Sequence, residues 1–141
     1  MKKEKKLNSL IRRLIQINDT PQKIALGFGL GIFLGIFPGS GPIAAFVTAS
    51  FLRLNRASAL LGSLLTNTWL SFVTFLSAVK IGSYLLRVNW QESLQEWKAG
   101  KIILPVLLGY LVVSLFAGLT GYSLALAVIK FSRRKIKNLP I

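Results

Sequence analysis

Few side chains in this sequence can carry acid–base, nucleophilic or metal chemistry. The chain contains no His and no Cys, which removes zinc ligation, imidazole catalysis, thiol nucleophiles and disulfides. Its four acidic residues are Glu4, Asp19, Glu92 and Glu96, and only the last two are close in sequence. Their i, i+4 spacing is typical of a solvated helix face rather than of a catalytic acid pair. We therefore expect no enzymatic activity, no metal site and no cofactor.

The distribution of charge indicates which solvent surrounds the chain. The net charge is +14, yet residues 24–52, 57–79 and 102–129 carry no charge at all. Uncharged apolar runs of this length are typical of membrane segments, because a soluble domain of 141 residues would lack the polar surface to cover them. The composition excludes a soluble enzyme, a coiled coil and a disordered tail. It predicts an all-α, multi-pass integral membrane protein.

The basic start of the chain predicts an amphipathic interfacial segment over residues 1–20. Apolar residues recur at helical spacing and leave Arg12 and Arg13 on the opposite face, which suits an anionic lipid surface. A solvated tail is an alternative, as is nucleic-acid binding, which we do not expect directly before a membrane segment. We expect no cleaved signal peptide, because the first apolar run is longer than a signal-peptide core. The apolar positions are Leu7, Leu10, Ile11, Leu14 and Ile15.

Prolines and glycines at residues 38–42 divide the first apolar run into two helices. The first of these starts at Thr20-Pro21, which is typical of an N-cap followed by the first helical residue. Residues 24–37 would form about 21 Å of helix, against a hydrocarbon core of roughly 30 Å. A re-entrant hairpin over residues 21–54 removes this mismatch, because it enters and leaves on one side and keeps its turn inside the protein.

Small residues repeat every four positions on both arms of this hairpin. Such stripes let helices approach closely, which is the main attraction available between helices in lipid. They favour packing of the two arms on each other, and contact between copies of the chain is the alternative. The stripes are Gly27, Gly31 and Gly35 on the first arm, and Gly41, Ala45 and Ala49 on the second.

The rest of the chain is expected to supply about two full transmembrane helices. Basic residues cluster at both ends of the sequence, so the positive-inside rule puts both termini in the cytoplasm and requires an even number of crossings. A second hairpin, broken at residues 118–121, is the alternative. Within a membrane domain at 21–130, the expected segments are a half-helix at 57–65, spans at 68–86 and 102–129, and an external interfacial helix at 88–100; a basic cytoplasmic tail follows at 131–141.

Two places put polar groups at membrane depth, and we treat them as a candidate substrate-binding site. In the Pro-Gly turn, a serine can cap the next helix, whose N-terminus offers free N–H groups and a partial positive charge to an anion. Where the second run is interrupted, hydroxyl and amide groups can bind a ligand, and two arginines can attract a phosphate at the cytoplasmic mouth. Each residue also has a purely structural interpretation. The candidates are Gly39, Ser40, Gly41, Thr66, Asn67, Arg53 and Arg56.

An ordered set of short motifs runs from Pro21 to about Leu86. The motifs are Ile24–Gly31, Phe33-Leu34-Gly35, the Pro-Gly turn at 38–42, Arg53-Leu54-Asn55, Ala59–Gly62 and Thr66-Asn67. In this order they resemble a family of small bacterial inner-membrane proteins catalogued as domain of unknown function number two thousand and sixty-two. Thr68 stands where that family tends to carry proline. The resemblance implies a multi-pass protein of the bacterial cytoplasmic (inner) membrane, sometimes joined to glycosyltransferase domains, and supplies no established activity.

These features favour binding or transport of an anionic or phosphate-bearing substrate, such as a lipid carrier. Two broken helices from one short chain form too little wall for a pathway, so we expect a homodimer or a larger assembly. The alternative is an accessory or scaffold protein that binds lipid or a partner enzyme, such as an envelope glycosyltransferase, without transport.

Single cysteines test the predicted topology, because the chain has none of its own. Asn89→Cys should react with a membrane-impermeant maleimide added outside intact cells, and Ser132→Cys should react only after the cells are opened. Labelling of both positions from the same side would contradict a topology with two crossings.

Overall fold

The computed structural model describes residues 19–38, 41–66, 68–96 and 100–138, without the side chains of 68 and 69. These residues form six α-helices and no strand, which confirms the all-α fold class. The expected interfacial segment at 1–20 lies outside the described residues except at its last two positions. The helices are α1 (Pro21–Ile36), α2 (Gly41–Phe51), α3 (Arg56–Leu64), α4 (Thr68–Leu86), α5 (Trp90–Gln95) and α6 (Ile103–Lys137).

Helix α1 begins and ends where local sequence signals predict. The Thr20 hydroxyl accepts a hydrogen bond from the Lys23 amide at 3.3 Å, and Pro21 occupies the first turn. At the other end, Phe37 turns extended (ψ 128°) directly before Pro38, because a proline disfavours the helical conformation of the residue that precedes it.

After α2 the chain is again beside the start of α1. The Asn55 amide donates to the Lys23 carbonyl at 3.4 Å, and the Asn55 side chain donates to the Asp19 carboxylate at 2.8 Å. Helices α1 and α2 therefore lie side by side with their outer ends at the same end of the molecule.

The glycine stripe of α1 packs against α3, so the prediction that it packs against α2 is wrong. An added Cβ would collide with Ser58 at Gly27, with Ala59 at Gly31 and with Thr66 at Gly35. Helix α3 can pack this closely because its residues that face α1 are small. The two helices run side by side in the same direction. The second stripe contacts both neighbours. Ala45 and Ala49 of α2 form one buried cluster with Ala59 of α3, and Leu30 and Leu34 of α1 pack against this cluster.

Helix α6 is the long element against which α1 and α4 pack end to end. Over the second half of α6, α1 is antiparallel to it, with Gly29 beside Gly118. Over the first half, α4 is antiparallel to it, with Ala78 beside Gly109 and Gly82 beside Pro105. The lengths agree, because 16 and 19 residues of helix make about 24 Å and about 28 Å, and the 35 residues of α6 make about 52 Å.

Helix α6 extends further than predicted and is unbroken. It continues to Lys137, into the segment 131–141 expected to be a tail, because Lys and Arg are good helix formers and favour a helix C-terminus. The alternative of a hairpin broken at residues 118–121 is wrong: Gly118 and Gly121 are contact points with α1, not helix ends. Of the interfacial helix expected at 88–100, the described residues form the six-residue α5, and residues 97–99 lie outside the described residues.

Within the described part of the chain, α6 is the one helix whose length and apolar character suffice to cross a membrane. Helices α1 and α2 and the described part of α4 are apolar but shorter. The membrane itself is therefore only weakly indicated by these helices, and the two-crossing topology stays a prediction.

The α4–α6 contact should not tolerate one added methyl group. A Cβ at Gly109 would collide with the Ala78 carbonyl, and backbone atoms have no rotamer by which to move away. Gly109→Ala should lower the free energy of unfolding by about 1–2 kcal/mol, since overpacking costs about 1–3 kcal/mol and alanine returns at most about 1 kcal/mol of helix propensity. The change in the free energy of unfolding can be measured by unfolding the chain in mixed micelles while its helix content is monitored by circular dichroism. Val128→Ile, which adds one carbon at a position of α6 that is 62% exposed, should change little. Equal losses would contradict this packing.

Candidate functional site

The two helix breaks lie at the same height along α6. Gly35, near the end of α1, contacts Ser63 and Thr66 at the end of α3; an added Cβ at Gly35 would lie 2.9 Å from the Ser63 carbonyl oxygen. Helix α2 starts just after the first break and α4 just after the second. Two helix C-termini and two helix N-termini therefore converge beside Tyr110. We call this region, made of residues 35–38, 41, 66, 71 and 110, the break layer.

A cavity of about 450 Å³ opens in the break layer. This volume lies within the range of small-molecule sites. Ser71 contributes to its wall from the first turn of α4, and Tyr110 contributes from α6. The remaining wall comes from the two sides of the first break, namely Gly35, Ile36, Phe37, Pro38 and Gly41.

Tyr110 is the polar side chain that ties the break layer together. Only 9% of it is exposed, and its ring packs with Ile36 of α1 and Ala78 of α4. Its hydroxyl lies near Thr74, whose own hydroxyl donates to the Ser71 carbonyl at 3.0 Å. Sequence reasoning missed Tyr110, although a tyrosine inside an uncharged apolar run is a signal that could have found it.

The structure brings two of the predicted site residues into the break layer. Gly41 opens α2 with φ +61°, a conformation that glycine adopts without strain. The Thr66 hydroxyl donates to the Ser63 carbonyl at 2.6 Å, so it already stabilises the last turn of α3. Gly39, Ser40 and Asn67 lie outside the described residues.

The predicted arginines lie at the other end of α1, away from the break layer. Arg53 ends α2 in the left-handed conformation (φ +56°), in a Schellman motif whose bond from the Leu54 amide to the Ala49 carbonyl measures 2.8 Å. Arg56 begins α3, and its guanidinium carbon lies 5.8 Å from the centroid of the Phe46 ring, a cation–π contact.

Asn55 and Asp19 join three helices at this end. Asn55 is 6% exposed; its side chain accepts from the Ser58 amide and donates to the Asp19 carboxylate, both at 2.8 Å. The Arg133 guanidinium, from α6, donates to the Asp19 carbonyl at 2.8 Å. Among the described residues, Asp19 is the sole acid here. Five cations lie at this end of α1, α3 and α6, and we call this set the basic end: Lys23, Arg53, Arg56, Lys130 and Arg133.

Residues 4–137 match the model of a family described as "Uncharacterized protein conserved in bacteria (DUF2062)". The chain belongs to this family. The DUF2062 match confirms the resemblance and extends it beyond Leu86 to the last residue of α6, so the family unit includes both the break layer and the basic end. No curated protein and no solved structure gives a significant match to the chain.

Removing the Asn55 side chain should destabilise the fold more than removing the same side chain elsewhere. Asn55→Ala deletes the N-cap of α3 and leaves the Asp19 carboxylate without its described partner, so we expect a loss of about 1–3 kcal/mol. Asn89→Ala is the matched control, because Asn89 caps the short, exposed α5 and should cost less than about 1 kcal/mol. Chemical unfolding in micelles measures both, and equal losses would contradict the role of Asn55.

Proposed function

We propose that this chain is a multi-pass protein of the bacterial inner membrane that binds and translocates an anionic, phosphate-bearing amphiphile, such as a lipid carrier. The observation that carries the proposal is the meeting of two helix breaks at one height of α6, around a cavity that Tyr110 helps to line.

In the proposed orientation, the basic end faces the cytoplasm and α5 faces the outside. Both termini are then cytoplasmic, as the positive-inside rule requires. The crossings are α6 and the combination of α3 and α4, while α1 and α2 form the re-entrant hairpin. Lys101 and Lys130 flank the uncharged part of α6, and Tyr110 lies between them, so the break layer falls within the hydrocarbon region.

Broken helices at membrane depth are suited to binding a charged group. Their terminal N–H and C=O groups are not satisfied within the helix, and irregular backbone is tolerated in a membrane only inside protein or beside a cavity. The N-termini of α2 and α4 bring partial positive charge to the break layer, as half-helices of transporters do for anionic substrates. The C-termini of α1 and α3 bring partial negative charge to the same layer, so an anion would bind at the N–H groups of α2 and α4. The described cavity wall carries no full charge, so an anion would be held by dipoles and hydroxyls and could leave again.

The basic end supports the choice of an anionic substrate. Clustered Lys and Arg on the cytoplasmic side attract anionic headgroups, at roughly 1 kcal/mol per residue near the surface. The single chain encloses the cavity incompletely, which supports a homodimer or larger assembly.

An accessory role is the second candidate, in which the chain binds lipid or a partner enzyme without transport. The outer face of α2 favours it, because Ile43 and Phe51 are 80% and 89% exposed and open to lipid or to another protein.

A lipid-scrambling assay tests transport. The purified chain is reconstituted into vesicles that contain fluorescently labelled phosphatidylglycerol, and the rate at which inner-leaflet lipid becomes accessible to dithionite is measured. Wild type should exceed empty vesicles, and Tyr110→Phe should slow the rate roughly tenfold, because it removes one hydrogen-bonding group to a charged ligand. Tyr84→Phe is the matched control: Tyr84 is 84% exposed, outside the cavity, and should leave the rate unchanged.

Ser40→Ala and Asn67→Ala extend the same assay to the two predicted side chains at the breaks. Each should reduce the rate separately. If wild type moves no lipid and all these variants support growth as wild type does, transport is excluded and the accessory role stands.

A further inference from the structure

A second cavity, of about 380 Å³, lies between α1 and α6 on the side of the basic end. At its base the two backbones touch, since an added Cβ at Gly29 would lie 2.7 Å from the Gly118 carbonyl oxygen. Its wall includes Leu115 of α6 and is otherwise almost wholly hydrocarbon. We call this cavity the α1–α6 groove.

Arg53 is next to the α1–α6 groove in the chain, because its two neighbours, Leu52 and Leu54, both line the groove. It is exposed and has a left-handed backbone, where glycine would avoid a cost of about 1 kcal/mol. Arg87 has the same backbone conformation at the end of α4, so what distinguishes Arg53 is the apolar groove beside it and its membership of the basic end.

Charge around this mouth is complementary to an anion. Arg53 belongs to the basic end, and the carboxylate of Asp19, the sole acid described there, already accepts from Asn55. An apolar groove next to a cluster of cations matches one class of molecule, in which an apolar chain carries an anionic head.

We propose that the α1–α6 groove holds a hydrocarbon chain of one anionic phospholipid, and that Arg53 binds its phosphate. The inference rests on the proposed function for its membrane setting. It deepens that function by assigning a site where the amphiphile is held in the cytoplasmic leaflet before it reaches the break layer.

Titration with lipid, followed by native mass spectrometry of the full chain in non-ionic detergent, tests the headgroup contact. Wild type should retain phosphatidylglycerol at least tenfold more tightly than phosphatidylcholine. Arg53→Gly should abolish most of this preference, because a charge-assisted contact to phosphate is lost. The fold should be unharmed, since glycine suits φ +56°, and the melting temperature should stay the same or rise.

Arg87→Gly is a closely matched control. Arg87 ends α4 with φ +54° in the same Schellman geometry, with the bond from the Val88 amide to the Ser83 carbonyl at 3.0 Å. The substitution removes the same charge from the same kind of turn, at the opposite end of the molecule, and should leave phosphatidylglycerol retention unchanged.

Filling the groove tests the chain contact. Leu115→Trp should displace the lipid chain and lower phosphatidylglycerol retention, whereas Leu111→Trp, one turn away and 47% exposed outside the groove, should not.

Three results would overturn the inference. The first is an equal loss of phosphatidylglycerol retention in Arg53→Gly and Arg87→Gly, and the second is equal retention of the two lipids by wild type. The third is a Leu115→Trp variant that dissociates an oligomer without losing lipid, which would mean that a second copy of the chain covers the groove. Failure of the proposed function gives a different result. If phosphatidylglycerol retention depends on Arg53 but not on Tyr110, and the chain scrambles no lipid, the lipid site is supported and transport is excluded.

Discussion

The need to satisfy backbone polar groups where a helix stops inside an apolar run shapes the whole molecule. This chain stops two helices in such runs, after Ile36 and after Leu64, and brings both ends to the same height of α6. Concentrating the breaks confines the irregular backbone to one layer beside a cavity, which is the arrangement that hydrocarbon would tolerate in the proposed membrane setting. The end-to-end placement of α1 and α4 along α6 follows, because one helix must end where the other begins.

Glycine makes that concentration feasible. Along α1, the glycines of one stripe let α3 pack closely, and Gly29 on another face lets α6 pack closely. A helix of 16 residues therefore makes backbone contact with two partners. Close packing of this kind is the attraction that remains between helices when the surroundings are as apolar as the side chains. Among the described residues, polar contacts join helices at the basic end, where Asn55 and Asp19 connect α1 to α3 and Arg133 connects α6 to them.

Local signals in the sequence predict local structure well. The start of α1 at Thr20-Pro21 and its end before Pro38 follow from capping and proline geometry, and the all-α class follows from composition. The sequence does not identify which helices pack together. Small residues at i, i+4 spacing show that another helix can pack closely on that face, but not which helix it is. The glycine stripe of α1 was therefore assigned to α2 instead of α3.

The same limit applies to the candidate site. The turn residues and Thr66 carry recognisable signals, and Gly41 and Thr66 do lie in the break layer. A tyrosine inside an uncharged apolar run is a signal, but it does not show that the fold brings Tyr110 to the breaks. Arg53 and Arg87 both end a helix where glycine is the usual residue, so this departure alone does not mark a site, and the groove beside Arg53 is visible only in the fold.

Disulfide cross-linking in native membranes tests most directly whether the two breaks meet. Pro38 lines the cavity from the first break and Ser71 lines it from the first turn of α4, and the chain has no cysteine of its own to interfere. The account predicts that Pro38→Cys/Ser71→Cys cross-links within one chain under mild oxidation, while Pro38→Cys/Tyr84→Cys does not. Cross-linking of the second pair in place of the first would contradict the break layer and the site built on it.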